Sequence, residues 1–258
     1  MPRISRQKSQ SGIYHIILRG INRREIFHED KDYRRFLEIL AKYTKESETK
    51  VHGWCLMNNH VHLLIGEGKE EISATMKRIG VSFAWYYNRK YESTGHLFQD
   101  RFKSENVEDD KYLLTVIRYI HQNPLKAGIA KRVGDWKWSS CNGYYGSKTH
   151  PLGLLDSNLI LGMFSADNKE LARSRFKEFN EDINNDKCID YESKLRLTDE
   201  EAKQKIIMHI DEIGLEQVKN LPKSERDEIL QTVKGIDGIT QRQAARILDI
   251  SPNVIFKA

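Results

Sequence analysis

NNHVHLLIG (residues 58–66) places two histidines, two residues apart, inside an apolar run. Every second residue from Val61 to Ile65 is apolar and alternates with His60 and His62, which is the period of two expected of a half-buried β-strand. Both imidazoles therefore lie on one face of the predicted strand. Two interpretations are open at this point: the pair binds one metal ion, or the histidines are ordinary strand residues with hydrogen-bonded rings.

The segments around this strand show which fold surrounds it. The pattern predicts strands over residues 12–20, 50–66 with a turn near Asn58, and 96–107, and amphipathic helices over residues 30–46, 72–91 and from Asp109 or Asp110 to Pro124. The order strand, helix, strand, strand, helix, strand, helix is typical of an α+β fold. We expect an antiparallel sheet with its helices on one face.

The pattern weakens after residue 149, and three regions are predicted. Residues 1–149 form the α+β domain, residues 150–196 a helical connector, and residues 197–258 an all-α region. The closing stretch GITQRQAARILDISPNVIFKA is typical of a helix-turn-helix with its turn at Asp249 to Ser251. A helix-turn-helix that serves only packing is the alternative for this tail.

Charge is distributed unevenly along the chain. Residues 1–149 contain 26 Lys and Arg against 17 Asp and Glu, a net charge of +9, whereas residues 150–258 contain 16 against 20, a net charge of −4. A basic domain attracts a polyanion such as nucleic acid, although a surface that is merely basic and soluble would show the same count.

Cysteine usage and hydropathy indicate the compartment. The three cysteines are far apart and form no CxxC pair, so neither a disulfide framework nor a zinc ribbon is predicted. No apolar run approaches the ~20 residues that span a bilayer. We expect a cytoplasmic protein without a membrane partner.

The third predicted helix carries a second candidate group. Tyr119 and Asn123 are i, i+4 neighbours on a face separate from the apolar stripe of that helix. Pro124 disfavours helical geometry at Asn123, so we expect the helix to fray there. Tyr112 lies seven residues before Tyr119 on roughly the same face. It is therefore the alternative to Tyr119 for any reaction that uses a phenol as the nucleophile.

Four stretches between residue 13 and about residue 145 resemble the single-tyrosine HUH transposases, and among them the REP-associated group. They are YHIILRGINRREIF, WCLMNNHVHLLI, GHLFQDRFKSENVEDDKYLLTVIRYIHQNPLKAGI and WKWSSCNGYY. The resemblance implies a ferredoxin-like or RRM-like HUH fold and a metal-dependent enzyme that nicks and joins single-stranded, hairpin-bearing DNA through a 5′-phosphotyrosine. Cys141 stands where the family's WSSY signature has an aromatic residue.

The resemblance also implies roles for individual residues. His60 and His62 match the metal-binding motif, Tyr119 matches the nucleophile, and Asn123 matches the position of a third, amide ligand, where related transposases have glutamine. Two neutral imidazoles and a neutral amide leave a divalent ion its full charge to polarise a phosphate. Mixed nitrogen and oxygen ligands with open positions suit Mg²⁺ or Mn²⁺.

DNA contacts are predicted on two parts of the chain. FAWYYNRKY (83–91) interleaves aromatics with cations and is typical of a stacking platform, although its aromatic residues also suit a protein core. The candidate DNA-binding residues are Arg89, Lys90, Arg101 and Lys103 in the first half and Gln241, Arg242 and Asn253 in the tail.

Two other functions compete with the transposase. One is a nucleic-acid-binding regulator that keeps the fold without cleavage, and the other is a zinc hydrolase, for which the motif offers no suitably placed carboxylate. The sequence leaves open whether the protein is a monomer or a homodimer, and whether Tyr119 acts in cis or in trans.

Overall fold

The computed structural model describes residues 7–186, 188, 197, 199–210, 213–215, 217–236 and 238–257. The chain forms two compact units, Met1–Asp190 and Tyr191–Ala258. The predicted boundary at residue 149 differs from this division, because residues 150–186 pack into the first unit. The part of the predicted connector at residues 189–196 lies outside the described residues.

The first unit is built on a four-stranded antiparallel sheet. Its strands are β1 (Ile13–Arg19), β2 (Lys50–Leu56), β3 (His60–Gly66) and β4 (Lys103–Asn106), in the order β2-β3-β1-β4. The strand predicted over residues 96–107 is confirmed only for its last part. Its first part forms only an isolated antiparallel bridge between Phe98 and Gly20, and after this bridge the side chain of Asp100 accepts the backbone N–H of Arg101.

Two helices cover one face of this sheet. They are α1 (Asp30–Glu46) and α2 (Ile72–Lys90), both close to their predicted bounds. The apolar stripe of α1 packs with Ile16 and Leu63 of the sheet and with Phe83 of α2 in one buried cluster. The α+β fold predicted from the alternation of strands and helices is thus confirmed.

A third helix, α3 (Asp110–Lys126), lies on the opposite face, so the expectation that all helices share one face is wrong. Leu113, Ile117 and Ile120 of α3 pack with Cys55 and Leu64 of the sheet. The reason lies in the strands: β2 and β3 are buried at nearly every position, which needs cover on both faces.

The end of α3 also differs from its prediction. The helix continues through Pro124 to Lys126 instead of fraying at Asn123. Proline removes one backbone donor, but the last turn is closed by the backbone N–H of Ala127, which donates to the carbonyl of Asn123 at 2.9 Å. Asn123 therefore has a helical backbone.

Three further helices complete the first unit: α4 (Cys141–Tyr144), α5 (Asn158–Gly162) and α6 (Lys169–Glu181). Phe176 of α6 stacks on Tyr144 with ring centroids 4.5 Å apart, and Arg118 of α3 pairs with Asp186 at 2.7 Å. These contacts explain why the predicted connector is part of the domain. Cys141 is fully buried among them, in contact with Asn180.

The second unit is helical, with α7 (Asp199–His209), α8 (Lys223–Gly235), α9 (Gln241–Ile247) and α10 (Pro252–Lys257) around a small core of its own. Thr240 caps α9 by accepting the backbone N–H of Gln243 at 3.1 Å. Asp249, with φ of 52°, turns the chain between α9 and α10. This is the helix pair on which the prediction of a helix-turn-helix rests. None of the helices in the described ranges combines the length and apolarity that crossing a bilayer needs.

Candidate active site

The strand register brings the two histidines of β3 to the face covered by α3. His62 lies opposite Ile17 of β1 and opposite Cys55 of β2, and Cys55 belongs to the apolar cluster around α3. His60 is two residues earlier in the strand and shares this face. The ring centroids of His60 and His62 are 5.0 Å apart, so the two imidazoles are adjacent.

His62 is completely buried and has one imidazole nitrogen without a partner. Its Nδ1 lies 3.1 Å from Nε2 of His15, whereas its Nε2 has no hydrogen-bond partner within the described ranges. Burial, together with the nearby His60, His15 and Arg19, lowers the pKa of His62 well below its usual value. A neutral imidazole with one unused buried nitrogen is suited to bind a metal ion.

His60 is held by the asparagine before it. Its Nδ1 lies 2.6 Å from Oδ1 of Asn59, and the amide of Asn59 is oriented by its Nδ2, which donates to the carbonyl of Arg23 at 3.1 Å. Since Oδ1 can only accept, Nδ1 of His60 carries the proton and its Nε2 carries the lone pair. The ring of His60 is therefore also in the form that a metal ligand needs.

Tyr119 lies beside the histidines. Its ring, only 8% exposed, stands edge-on to His62 and His15 with centroid distances of 5.8 and 6.1 Å. Nζ of Lys126, two turns later on α3, lies 5.3 Å from the centre of the same ring. A phenol next to a cation and two imidazoles has the surroundings of an activated nucleophile.

Tyr112, the alternative nucleophile, has a different environment. Burial raises its pKa, and hydrogen bonds of its side chain with Glu105 and Cys188 contribute in the same direction. A phenol that donates to a carboxylate is harder to ionise. The structure therefore favours Tyr119 over Tyr112 on local chemistry.

Asn123 follows Tyr119 by one turn of α3. Its side chain is nearly buried, and its Nδ2 donates to the backbone carbonyl of Tyr119 at 3.4 Å. Because this bond uses the amide nitrogen, a ligand role would fall to Oδ1.

His121, two residues after Tyr119 on α3, points away from the candidate site. It is buried between Asn180 and Ser140, 3.2 and 2.9 Å from their side-chain oxygens. Burial lowers its pKa to about 3. This histidine therefore serves the packing of α3 against α6.

The candidate metal ligands consist of two imidazoles and one amide. In the part of the chain that the structure describes, no group of three or more His, Cys, Asp or Glu side chains could hold a metal ion. The buried, unpartnered Nε2 of His62 is the atom that fits a metal ion best. The donor set is neutral, as expected for a site that polarises a phosphate.

The predicted DNA-binding residues of the first unit have different surroundings. Arg89 is exposed and its guanidinium lies 5.3 Å from the ring centre of Trp85, which is 62% exposed. Lys103 is exposed at the start of β4, and Arg101 is exposed two residues before it. Of the aromatics in residues 83–91, Phe83 and Tyr87 are buried in the core.

Lys90 differs from the other cations because it is bound within the protein. It pairs with Glu29 and with Asp32, whose carboxylate is fully buried. Burial alone would raise the pKa of Asp32, but hydrogen bonds from Lys90, Tyr91, the backbone of His28 and Tyr86 lower it to about 2. Lys90 thus neutralises a buried charge inside the protein, which makes it a poorer candidate for a DNA contact than Arg89, Arg101 and Lys103.

The three tail residues predicted to bind DNA are exposed. Gln241 and Arg242 lie in the first turn of α9, and Asn253 lies in α10. Arg246, also on α9, is held by Asp199 at 2.6 Å.

Sequence reasoning missed His15 and Glu105. His15 is fully buried on β1, and its Nδ1 lies 3.7 Å from Oε2 of Glu105, the residue opposite it on β4. A histidine inside the apolar run YHIILR was a visible signal. Its partners depend on the strand register, which the sequence did not provide.

The fold and this site define a class: an α+β domain with paired histidines on a central strand and a helical tyrosine beside them. Residues 8–123, which include all of these side chains, match the family model described as "Transposase IS200 like". The resemblance to the single-tyrosine transposases is therefore confirmed for this part of the chain.

Individual relatives agree with the family match. A REP-associated tyrosine transposase of Escherichia coli K12 is 24% identical over 110 residues, which are 42% of this chain and 64% of that protein. A relative from Haemophilus influenzae Rd with the same family name is 31% identical over 98 residues, 33% of this chain and 55% of that protein. The chain thus spans less than two thirds of either relative.

The chain was also matched to a solved structure. It is described as a REP-associated tyrosine transposase bound to a REP hairpin and has a TM-score of 0.49 and 19% identity to this chain. The match covers 61% of this chain and 90% of that one.

Proposed function

We propose that the protein is a metal-dependent transposase that nicks and joins hairpin-bearing, single-stranded DNA through a 5′-phosphotyrosine. The observation that carries the proposal is the packing of Tyr119 against His62, at 5.8 Å between ring centroids, where the Nε2 of His62 is buried without a partner. A nucleophile and an unused metal-binding atom lie side by side. The match of residues 8–123 to the transposase model supports the same conclusion.

His60, His62 and Asn123 would hold the divalent ion, Mg²⁺ or Mn²⁺. When bound, such an ion supplies Lewis-acid polarisation of the scissile phosphate. The three side chains contribute no negative charge that would weaken this effect. Burial favours the neutral form of His62, and Asn59 holds a proton on Nδ1 of His60, so the Nε2 side of His60 is the side that would face a metal ion.

Tyr119 would carry out the transfer itself. Its phenolic oxygen forms a bond to phosphorus while the bond from phosphorus to the 3′ oxygen breaks. The phenolic proton leaves to solvent, and the departing 3′ oxygen gains a proton. Lys126, beside the ring of Tyr119, favours the phenolate that develops as the proton leaves. The bond energy stays in the phosphotyrosine, so joining to a new 3′ end needs no ATP.

DNA capture would begin with the basic first half of the chain. Its net charge of +9 provides long-range attraction to the phosphate backbone. Arg89, Arg101 and Lys103 are exposed cations, and Trp85 offers an exposed ring to an unstacked base. Gln241, Arg242 and Asn253 would contact the hairpin stem from the second unit.

The test is the formation of a covalent adduct between the full chain and a hairpin-bearing strand in the presence of Mn²⁺. We expect a species that survives denaturation and whose modified peptide contains Tyr119. The Tyr119→Phe variant should bind the strand as tightly as the wild type and form no adduct, because it loses only the attacking hydroxyl. Tyr112→Phe is the matched control and should still form the adduct.

Three results would contradict the proposal. An adduct that maps to Tyr112 would show that the nucleophile is Tyr112, two turns before Tyr119 on α3. Tight binding of the strand without any adduct, with or without Mn²⁺, would indicate a regulator that binds DNA and does not cleave it. Cleavage that leaves no bond to the protein would point to a hydrolase.

A further inference from the structure

We propose that His15 is a positioning residue that fixes the proton of His62 on Nδ1 and thereby reserves Nε2 of His62 for the metal ion. The inference rests on the proposed function, because it assigns the buried Nε2 to a metal ion. It adds a residue from β1 and a carboxylate from β4 to a site otherwise built from β3 and α3.

Three side chains form a line across three neighbouring strands. Glu105 of β4 lies opposite His15 of β1 in the sheet register, and His62 of β3 lies opposite Ile17, two residues along from His15. All of them are on the face covered by α3. The distances are 3.7 Å from Glu105 Oε2 to His15 Nδ1 and 3.1 Å from His15 Nε2 to His62 Nδ1.

The carboxylate sets the direction of the hydrogen bond between the two histidines. A neutral imidazole carries one proton, and the negative charge of Glu105, 3.7 Å from Nδ1 of His15 and so beyond hydrogen-bond distance, electrostatically favours the proton at that nitrogen. Nε2 of His15 then has a lone pair and accepts. The proton in the 3.1 Å contact must come from Nδ1 of His62, so Nε2 of His62 has the lone pair.

The reverse arrangement would leave the site unfit for a metal ion. If Nε2 of His15 donated, Nε2 of His62 would carry a proton in a buried position that has no acceptor among the described residues. It would also turn the lone pair of His15 Nδ1 toward the negatively charged carboxylate of Glu105, 3.7 Å away, which is electrostatically unfavourable. Packing keeps both rings in place, since Tyr119 stands edge-on to each of them.

The first test reads the proton position directly, without metal or DNA. Nitrogen-15 NMR of the imidazole rings of the metal-free full chain should show His62 protonated at Nδ1. In His15→Leu, which removes the acceptor, a substantial fraction of His62 should shift its proton to Nε2. In His15→Gln, whose amide reaches the position of the ring Nε2, the oxygen accepts and the wild-type form should return.

The second test measures Mn²⁺ binding to the full chain without DNA. Loss of a group that orients a metal-binding histidine lowers metal affinity about 10–100-fold. We expect a loss of that size in His15→Leu and recovery of most of the affinity in His15→Gln. His52→Gln is the control, because His52 is equally buried in the same sheet and bonds to the backbone of Asp156 instead.

A wild-type His62 protonated at Nε2 would overturn the inference, and so would an unchanged proton position and Mn²⁺ affinity in a folded His15→Leu. If His15→Leu does not fold, the wild-type spectrum and His15→Gln still decide. Failure of the transposase proposal looks different: His62 would be protonated at Nδ1 and would bind Mn²⁺, yet no adduct would form with DNA.

Discussion

At the scale of single residues, the candidate site depends on which nitrogen of each imidazole ring carries the proton. Asn59 holds Nδ1 of His60, and His15 holds Nδ1 of His62, so both histidines present Nε2. The sequence predicted the two histidines from their alternation with apolar residues. It could not predict their partners. The partner of His62 is His15, which lies on the neighbouring strand β1, and the partner of His60 is Asn59, whose amide is oriented by the backbone carbonyl of Arg23.

His60→Ala and His62→Ala should each abolish adduct formation. Either change leaves two ligands, and loss of metal polarisation removes several kcal/mol of transition-state stabilisation. This corresponds to a rate at least about 100-fold lower. The measurement is the rate of adduct formation over a range of Mn²⁺ concentrations, with the exposed His96→Ala as control. Wild-type rates in either variant would show that the pair is structural.

Asn123→Ala should have a smaller effect, roughly a tenfold loss of rate that high Mn²⁺ concentration partly restores. Its Oδ1 is a neutral oxygen ligand, which a water molecule can replace. The Mn²⁺ dependence of adduct formation distinguishes this variant from the histidine variants. A loss as complete as that of His62→Ala would make the amide an essential ligand, and a loss that Mn²⁺ does not restore would make Asn123 a structural residue of α3.

At the scale of secondary-structure elements, α1 and α2 are joined by a buried charge. Asp32 accepts hydrogen bonds from Tyr86 at 2.9 Å and Tyr91 at 2.6 Å, and pairs with Lys90. The aromatic and basic segment around Lys90 predicts a DNA contact for this residue. The partner of Lys90 lies 58 residues away in the chain, a separation that local pattern does not show.

Asp32→Asn should destabilise the first unit by about 2 kcal/mol at pH 7. The pKa of Asp32 is depressed from 3.8 to about 2, so its carboxylate stabilises the fold above pH 4. This contribution is lost as the pH falls from about 4 to about 2. Denaturant unfolding of wild type and variant should therefore converge toward pH 2. Glu46→Gln, which replaces an exposed carboxylate on the same helix, is the control.

At the scale of the whole molecule, the α+β fold was predictable because its signals are local. Strand and helix periods gave β1, β2, β3, α1, α2 and α3 nearly within their bounds. The domain boundary was not predictable, because it depends on Phe176 and Asp186, which bind to Tyr144 and Arg118 far earlier in the chain. The second covered face of the sheet was missed for a different reason: the near-continuous apolar runs of β2 and β3 implied cover on both faces, but the alternation around His60 and His62 was interpreted as a half-buried strand.

The tail's contribution to DNA binding belongs to this scale as well. Residues 197–258 contain 9 Lys and Arg against 11 Asp and Glu, and two of these cations, Arg246 and Lys219, are paired with Asp199 and Asp249. A unit with this charge should bind DNA weakly by itself. The exposed Gln241, Arg242 and Asn253 can add contacts once the basic first half has captured the strand.

Deleting residues 197–258 should then weaken binding to a hairpin-bearing strand by about tenfold, the effect of one good side-chain contact of roughly 1–3 kcal/mol. Binding to an unstructured strand of equal length should change much less. Arg242→Ala in the full chain should weaken hairpin binding in the same direction, whereas Lys203→Ala, an exposed cation on α7, is the control and should not. Equal losses on both strands, or no loss, would assign the helix pair α9 and α10 to packing or to contacts with another protein.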